Sequence, residues 1–113
     1  MAVRYYLSLP DPATLPAAGE FAFSSQGAEG LAEELQAALR GDALFQRWRA
    51  AQDDPDAVDP TLGVVDPHAI VRGEQHDLQI DLIATTSIPG AVLKHGLRLL
   101  AGGGWQLRDV TAA

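Results

Sequence analysis

Polar and apolar residues trade places with two different periods along this chain, and the change of period marks its elements. From His76 the sequence reads HDLQIDLIATT, with Leu78, Ile80, Leu82 and Ala84 alternating against Asp77, Gln79 and Asp81. A period of two is that of a strand with one buried face. Ser87 and Pro89 then interrupt it, and Leu93, Leu97 and Leu100 recur at helical spacing. That spacing predicts an amphipathic helix with Ser87 as its cap. The N-terminal stretch Ala2 to Leu9 repeats the strand pattern, placing Val3, Tyr5, Leu7 and Leu9 on one face and Arg4, Tyr6 and Ser8 on the other. Pro10 and Pro12 end it, because proline donates nothing to a ladder and restricts the residue before it.

A longer helix is expected from about Ala28 to about Ala51, with an apolar stripe of Leu31, Leu35, Ala38 and Leu39 continued by Phe45 and Trp48. Glu29, Glu33 and Glu34 near its start and Arg40, Arg47 and Arg49 near its end complement the helix dipole. Gly41-Asp42 is a stop followed by a cap, so a kink or break is expected there. Phe21 to Ser24 reads either as a short extra strand or as an apolar tuck beneath that helix. Residues Asp53 to Pro67 hold three Asp-Pro steps, which is turn chemistry. Within them Leu62 to Val65 is a candidate short strand. Ala69 to Arg72 is a further strand, and Gly73-Glu74 is the expected turn of a hairpin into His76. After the last helix, Gly102-Gly103-Gly104 permits a left-handed stop and a tight return into a strand over Trp105 to Val110.

The order strand, helix, strand, strand, helix, strand resembles that of ferredoxin-like domains, a two-layer α+β sandwich. The resemblance implies a four-stranded antiparallel sheet with two helices on one face (βαββαβ), and first and third strands as central neighbours. That architecture carries many unrelated roles, so it implies no activity. At 113 residues, 47% of them hydrophobic, the chain is expected to be one domain with an ordinary core and no disorder. No apolar run is long enough to cross a bilayer, and the N-terminus lacks the apolar stretch of a signal peptide, so a cytosolic protein without membrane partners is expected. Lys94 as the single lysine, with abundant Ala and Gly, matches the composition of a GC-rich bacterial genome.

Chemistry is sparser. The absence of cysteine excludes thiol catalysis, Cys-ligated zinc and iron–sulfur clusters. A net charge of −7, with eight basic residues scattered along the chain, opposes nucleic-acid binding. The acidic loop Asp53, Asp54, Asp56, Asp59 and Asp66 lacks the glycine and glutamate of a calcium loop, and Pro55 and Pro60 break its spacing. His68, His76 and His95 show no helical i, i+4 zinc pattern. His95 is expected to be partly exposed, favouring the negative half of its helix, and His76 to sit at the rim of the core face. No G-x-S-x-G elbow accompanies Ser24, Ser25 or Ser87. Neither cofactor nor metal is therefore expected, and the balance is against an enzyme.

What remains is the sheet face opposite the helices. Arg4, Tyr6 and Ser8, then Asp77, Gln79, Asp81 and Ile83, then Gln106 and Arg108 would share it, with Arg4 and Arg108 beside Asp77 and Asp81. His68 joins that face if Gly73-Glu74 is a two-residue loop and leaves it if the loop includes Gln75. Arg4, Tyr6, His68, Asp77, Gln79, Asp81 and Arg108 are thus the candidate interaction or ligand residues. A mixed-charge sheet face fits a protein partner or a homo-oligomer, with homodimer the simplest form. The alternative is a small enzyme or ligand-binding domain built on the same polar cluster.

Overall fold

In the computed structural model the described residues are 2–10, 21, 23, 27–76, 79–102 and 104–113. They form an α+β structure with one four-stranded antiparallel sheet and three helices. Strand β1 is Val3–Pro10, helix α1 Ala28–Arg40 and helix α2 Ala43–Ala50. Strands β2 and β3 are Ile70–His76 and Gln79–Thr86, helix α3 is Gly90–Ala101, and strand β4 is Gln106–Ala112. The sheet order is β2-β3-β1-β4, so β1 and β3 are the central neighbours.

Period-two patterning explains the two central strands directly. Tyr5, Leu7, Leu9, Ile80, Leu82, Ala84 and Thr86 are buried, while Arg4, Tyr6, Gln79, Asp81, Ile83 and Thr85 are half-exposed between them. The buried set joins Leu31, Leu35 and Leu39 of α1 and Leu93, Leu97 and Leu100 of α3 in one apolar cluster. Each fully buried leucine contributes about 1.5–3 kcal/mol relative to solvent exposure. Phe23 packs against the same cluster, and its N–H donates to the Leu100 carbonyl (2.8 Å), which fastens it to α3 and not to the helix that follows it in sequence. Ser24 and Ser25 lie outside the described residues.

The long helix does break where expected. Gly41 is extended (φ −137°, ψ 167°), and α2 starts as a separate helix after Asp42. The candidate strand over Leu62 to Val65 is instead a 3₁₀ turn, Pro60–Gly63, followed by irregular chain. Pro60 presets the turn and the Asp59 carboxylate fastens it, accepting from the Thr61 N–H (2.9 Å) and hydroxyl (2.8 Å). Ser87 is not the cap of α3 either. That position belongs to Pro89, without a side-chain bond, because Ser87 is engaged elsewhere.

The hairpin differs most from expectation. Gly73-Glu74 is not a turn but the middle of β2, with Gly73 opposite Leu82 and Glu74 opposite Asp81. His76 pairs with Gln79, which puts the connection at 77–78, outside the described residues. Both registers considered from sequence are therefore replaced. Glycine is required at 73 for a packing reason: a Cβ there would run into the carbonyl of Ala28, in the first turn of α1. Helix α1 thus lies against the outer strand, and Gln36 Oε1 accepts the outward N–H of Val71 (3.0 Å). That bond occupies a donor which an edge strand would otherwise present to solvent.

At the other end of α3, Gly102 takes a positive φ (59°), and the Trp105 indole N–H donates to its carbonyl (3.0 Å). Gly103 lies outside the described residues. Strand β4 pairs with β1 through a register shift between Tyr6 and Leu7, which leaves Arg108 as the extra residue of a bulge.

A charged open face on the sheet

Strand pairing sorts the face opposite the apolar cluster into rows running across the sheet. The first row is Ile70, Thr85, Arg4 and Thr111; the second is Arg72, Ile83, Tyr6 and Asp109; the third is Glu74, Asp81, Ser8 and Gln106, beside the bulged Arg108. Tyr6 and Ile83 are direct partners at the centre, and they form a ridge between two hollows. One hollow, of about 450 Å³, is lined by Arg4, Arg72, Ile70 and Thr85. The other, of about 430 Å³, is lined by Glu74, Gln79, Asp81 and Arg108. Hydrogen bonds from Arg4 and then Thr111, with the Arg4 charge, hold the Tyr6 phenol below its usual range, against burial and the charge of Asp109.

Like charges face one another in the third row, where Glu74 pairs directly with Asp81 across the strands. Directly opposed carboxylates repel. His76 stands between them, its Nε2 3.4 Å from Glu74 Oε2 and 3.4 Å from Asp81 Oδ2, an ion pair only when the imidazole is protonated. Gln79 also donates to Asp81 Oδ1 (2.9 Å). Ser8 is 1% exposed, and its Oγ has no hydrogen-bond partner among the described residues.

Of the residues singled out from sequence, Arg4, Tyr6, Gln79, Asp81 and Arg108 do share this face. Asp77 lies outside the described residues. His68 is not on it: the residue occupies a turn before β2, at the end of the sheet where Ile70 meets Thr85. Arg4 is not beside Asp81 either. Its partner is Thr85, while Asp81 pairs with Ser8, four positions or about 13 Å along the strand. His76 belongs to β2, so it lies on the open face and not at the rim of the core. Ile70, Arg72, Glu74 and Asp109 were not singled out, because only the observed register brings them here.

Two other polar groups prove structural. Asp66 is 8% exposed, and its carboxylate accepts from the Thr86 hydroxyl (2.9 Å), the Ser87 N–H (3.0 Å) and the His68 N–H (3.0 Å). The Ser87 backbone bond, aided by the His68, Thr86 and Ser87 side-chain or backbone bonds, holds it below the usual carboxylate range despite burial. His95 packs edge-on against Trp48 with ring centres 4.4 Å apart. Burial, then the charge of Arg98, pushes its pKa down, so the imidazole is favoured neutral where the helix dipole alone would favour charge.

Among the described residues no cluster of three or more His, Cys, Asp or Glu could hold a metal ion, and no helix is long and apolar enough to cross a membrane. No protein-family model, curated protein or solved structure matches the chain.

Proposed function

We propose that the chain is a non-enzymatic protein-interaction or self-association module whose contact surface is the open face of its sheet. The observation that carries this reading is charge left without local partners. Arg72 and Arg108 make no ion pair among the described residues, and Glu74 and Asp81 sit side by side with only a histidine between them. Such charges gain more from a partner's opposite charges than from one another. The half-exposed Tyr6 and Ile83, with the exposed Ile70, add an apolar centre of the kind found at interfaces. We read the fold as ferredoxin-like, with α1 and α3 on one face and α2 inserted after α1. The strand order and the single cluster shared by both helices support that reading. A cytosolic, bacterial setting fits the composition, and the net charge of −7 stands against a nucleic-acid partner.

A photo-crosslinking residue at position 83 tests the interaction reading in cells. A discrete protein adduct is expected there and not from position 33 on α1, and it should vanish with Ile70→Asp. Absence of any adduct would reject the reading. A ligand-binding or enzymatic role is the second reading, favoured by His76 lying against Asp81 at the edge of the hollow that Arg108 lines. Histidine NMR signals that shift with millimolar small carboxylic acids or amines would support it.

A further inference from the structure

We propose that the occupant of the open face is a second copy of this chain, stacked face to face about a twofold axis that runs along the strands between β1 and β3. The inference rests on the interaction reading above and names its partner. Rotation about that axis exchanges β2 with β4 and β3 with β1, leaving each row on itself. In the second row, Arg72 comes over the partner copy's Asp109 and Ile83 over its Tyr6. In the third row, Glu74 comes over the bulge that carries Arg108. Each contact occurs twice, as an isologous interface requires. Two sheets pack about 10 Å apart with strands within about 30° of parallel. The Tyr6–Ile83 ridge meets its copy at the centre, and the long charged side chains bridge the flanks.

The alternating charges at the four outer positions (Arg72 and Glu74 on β2, Asp109 and Arg108 on β4) are also complementary about an axis perpendicular to the strands. That axis would set Ile83 over Asp81 and Tyr6 over Ser8, burying a carboxylate against an aliphatic side chain. Apolar matching therefore selects the axis along the strands. Four strands of seven or eight residues give roughly 500 Å² in plan. Standing side chains raise the accessible area toward the about 800 Å² per partner of an ordinary specific interface.

Sedimentation equilibrium on the whole chain from micromolar to millimolar concentration tests the proposal. The expected result is a monomer–dimer equilibrium, weakened at least about tenfold by Arg72→Glu and restored to within about threefold by adding Asp109→Arg. Ile83→Asp should also abolish it, with a thermal melt showing that each variant folds. A mass of one chain throughout, indifference to Arg72→Glu, or restoration by Glu74→Arg in place of Asp109→Arg would overturn it. A monomer that still gives a heterologous adduct from position 83 overturns the second copy alone. Absence of any adduct rejects the interaction reading as well.

Discussion

Leu82 and Ile83 are neighbours in one strand and live under different rules. Leu82 is fully buried in the apolar cluster, and Ile83 stands half-exposed on the open face. The same contrast separates two carboxylates. Asp66 collects donors from Thr86, Ser87 and His68 and ties the loop before β2 to the corner before α3. Asp81 is set against Glu74 with a histidine and a glutamine as its neighbours. One face of the sheet and its corner are internally complete, and the other holds charge that the described residues do not match. The lesson is that polarity alone does not mark a site. What marks it is whether the polar groups are already satisfied.

The contrast can be broken most severely at the core. Leu82→Ala should cost about 2–5 kcal/mol in a urea titration, since the surrounding helices collapse only partly around the void. At the corner, Asp66→Ala should cost about 2–4 kcal/mol by the same measurement, because buried donors lose their acceptor. Its pH dependence has a definite sign. The folded-state pKa of Asp66 is depressed, so its stabilisation is complete above the unfolded value of about 3.9 and is lost as pH falls through the folded value. Stability of the native chain should fall in that acid range, and the Asp66→Asn slope should be flatter. Tyr5→Phe is a milder break. The Tyr5 hydroxyl donates to the Ile88 carbonyl (2.9 Å), and its removal should cost about 1 kcal/mol. Smallest in stability is Ile83→Asp, expected within about 0.5 kcal/mol of the native chain, yet able to remove association entirely. A large loss of stability there would mean that the open face is part of the fold's own support.

Legibility from sequence followed the same division. Alternation in β1 and β3 was readable because one side of each is buried in the apolar cluster, so Arg4, Tyr6, Gln79, Asp81 and Ile83 could be placed on a common face. Strand β2 was not readable, because Gly73-Glu74 has the chemistry of a turn while the glycine serves a contact with Ala28, 45 residues earlier in the chain. With the register misplaced, Arg72, Glu74 and His76 could not be assigned to the face, and His68 could be put on it by one of the two registers considered, whereas it belongs to the turn before β2. Asp66 before Pro67 looks like any other turn. Its partners Thr86 and Ser87 lie 20 and 21 positions away, and no local pattern announces them.

Gln36 on the Val71 amide has an outcome beyond the monomer. A margin with an outward donor already taken by a helix side chain is harder to lengthen than the opposite margin, along β4. Two copies meeting along β4 would use up that margin in each and give an eight-stranded ribbon. Loss of that glutamine would return one donor to the second margin and ease its pairing with another chain.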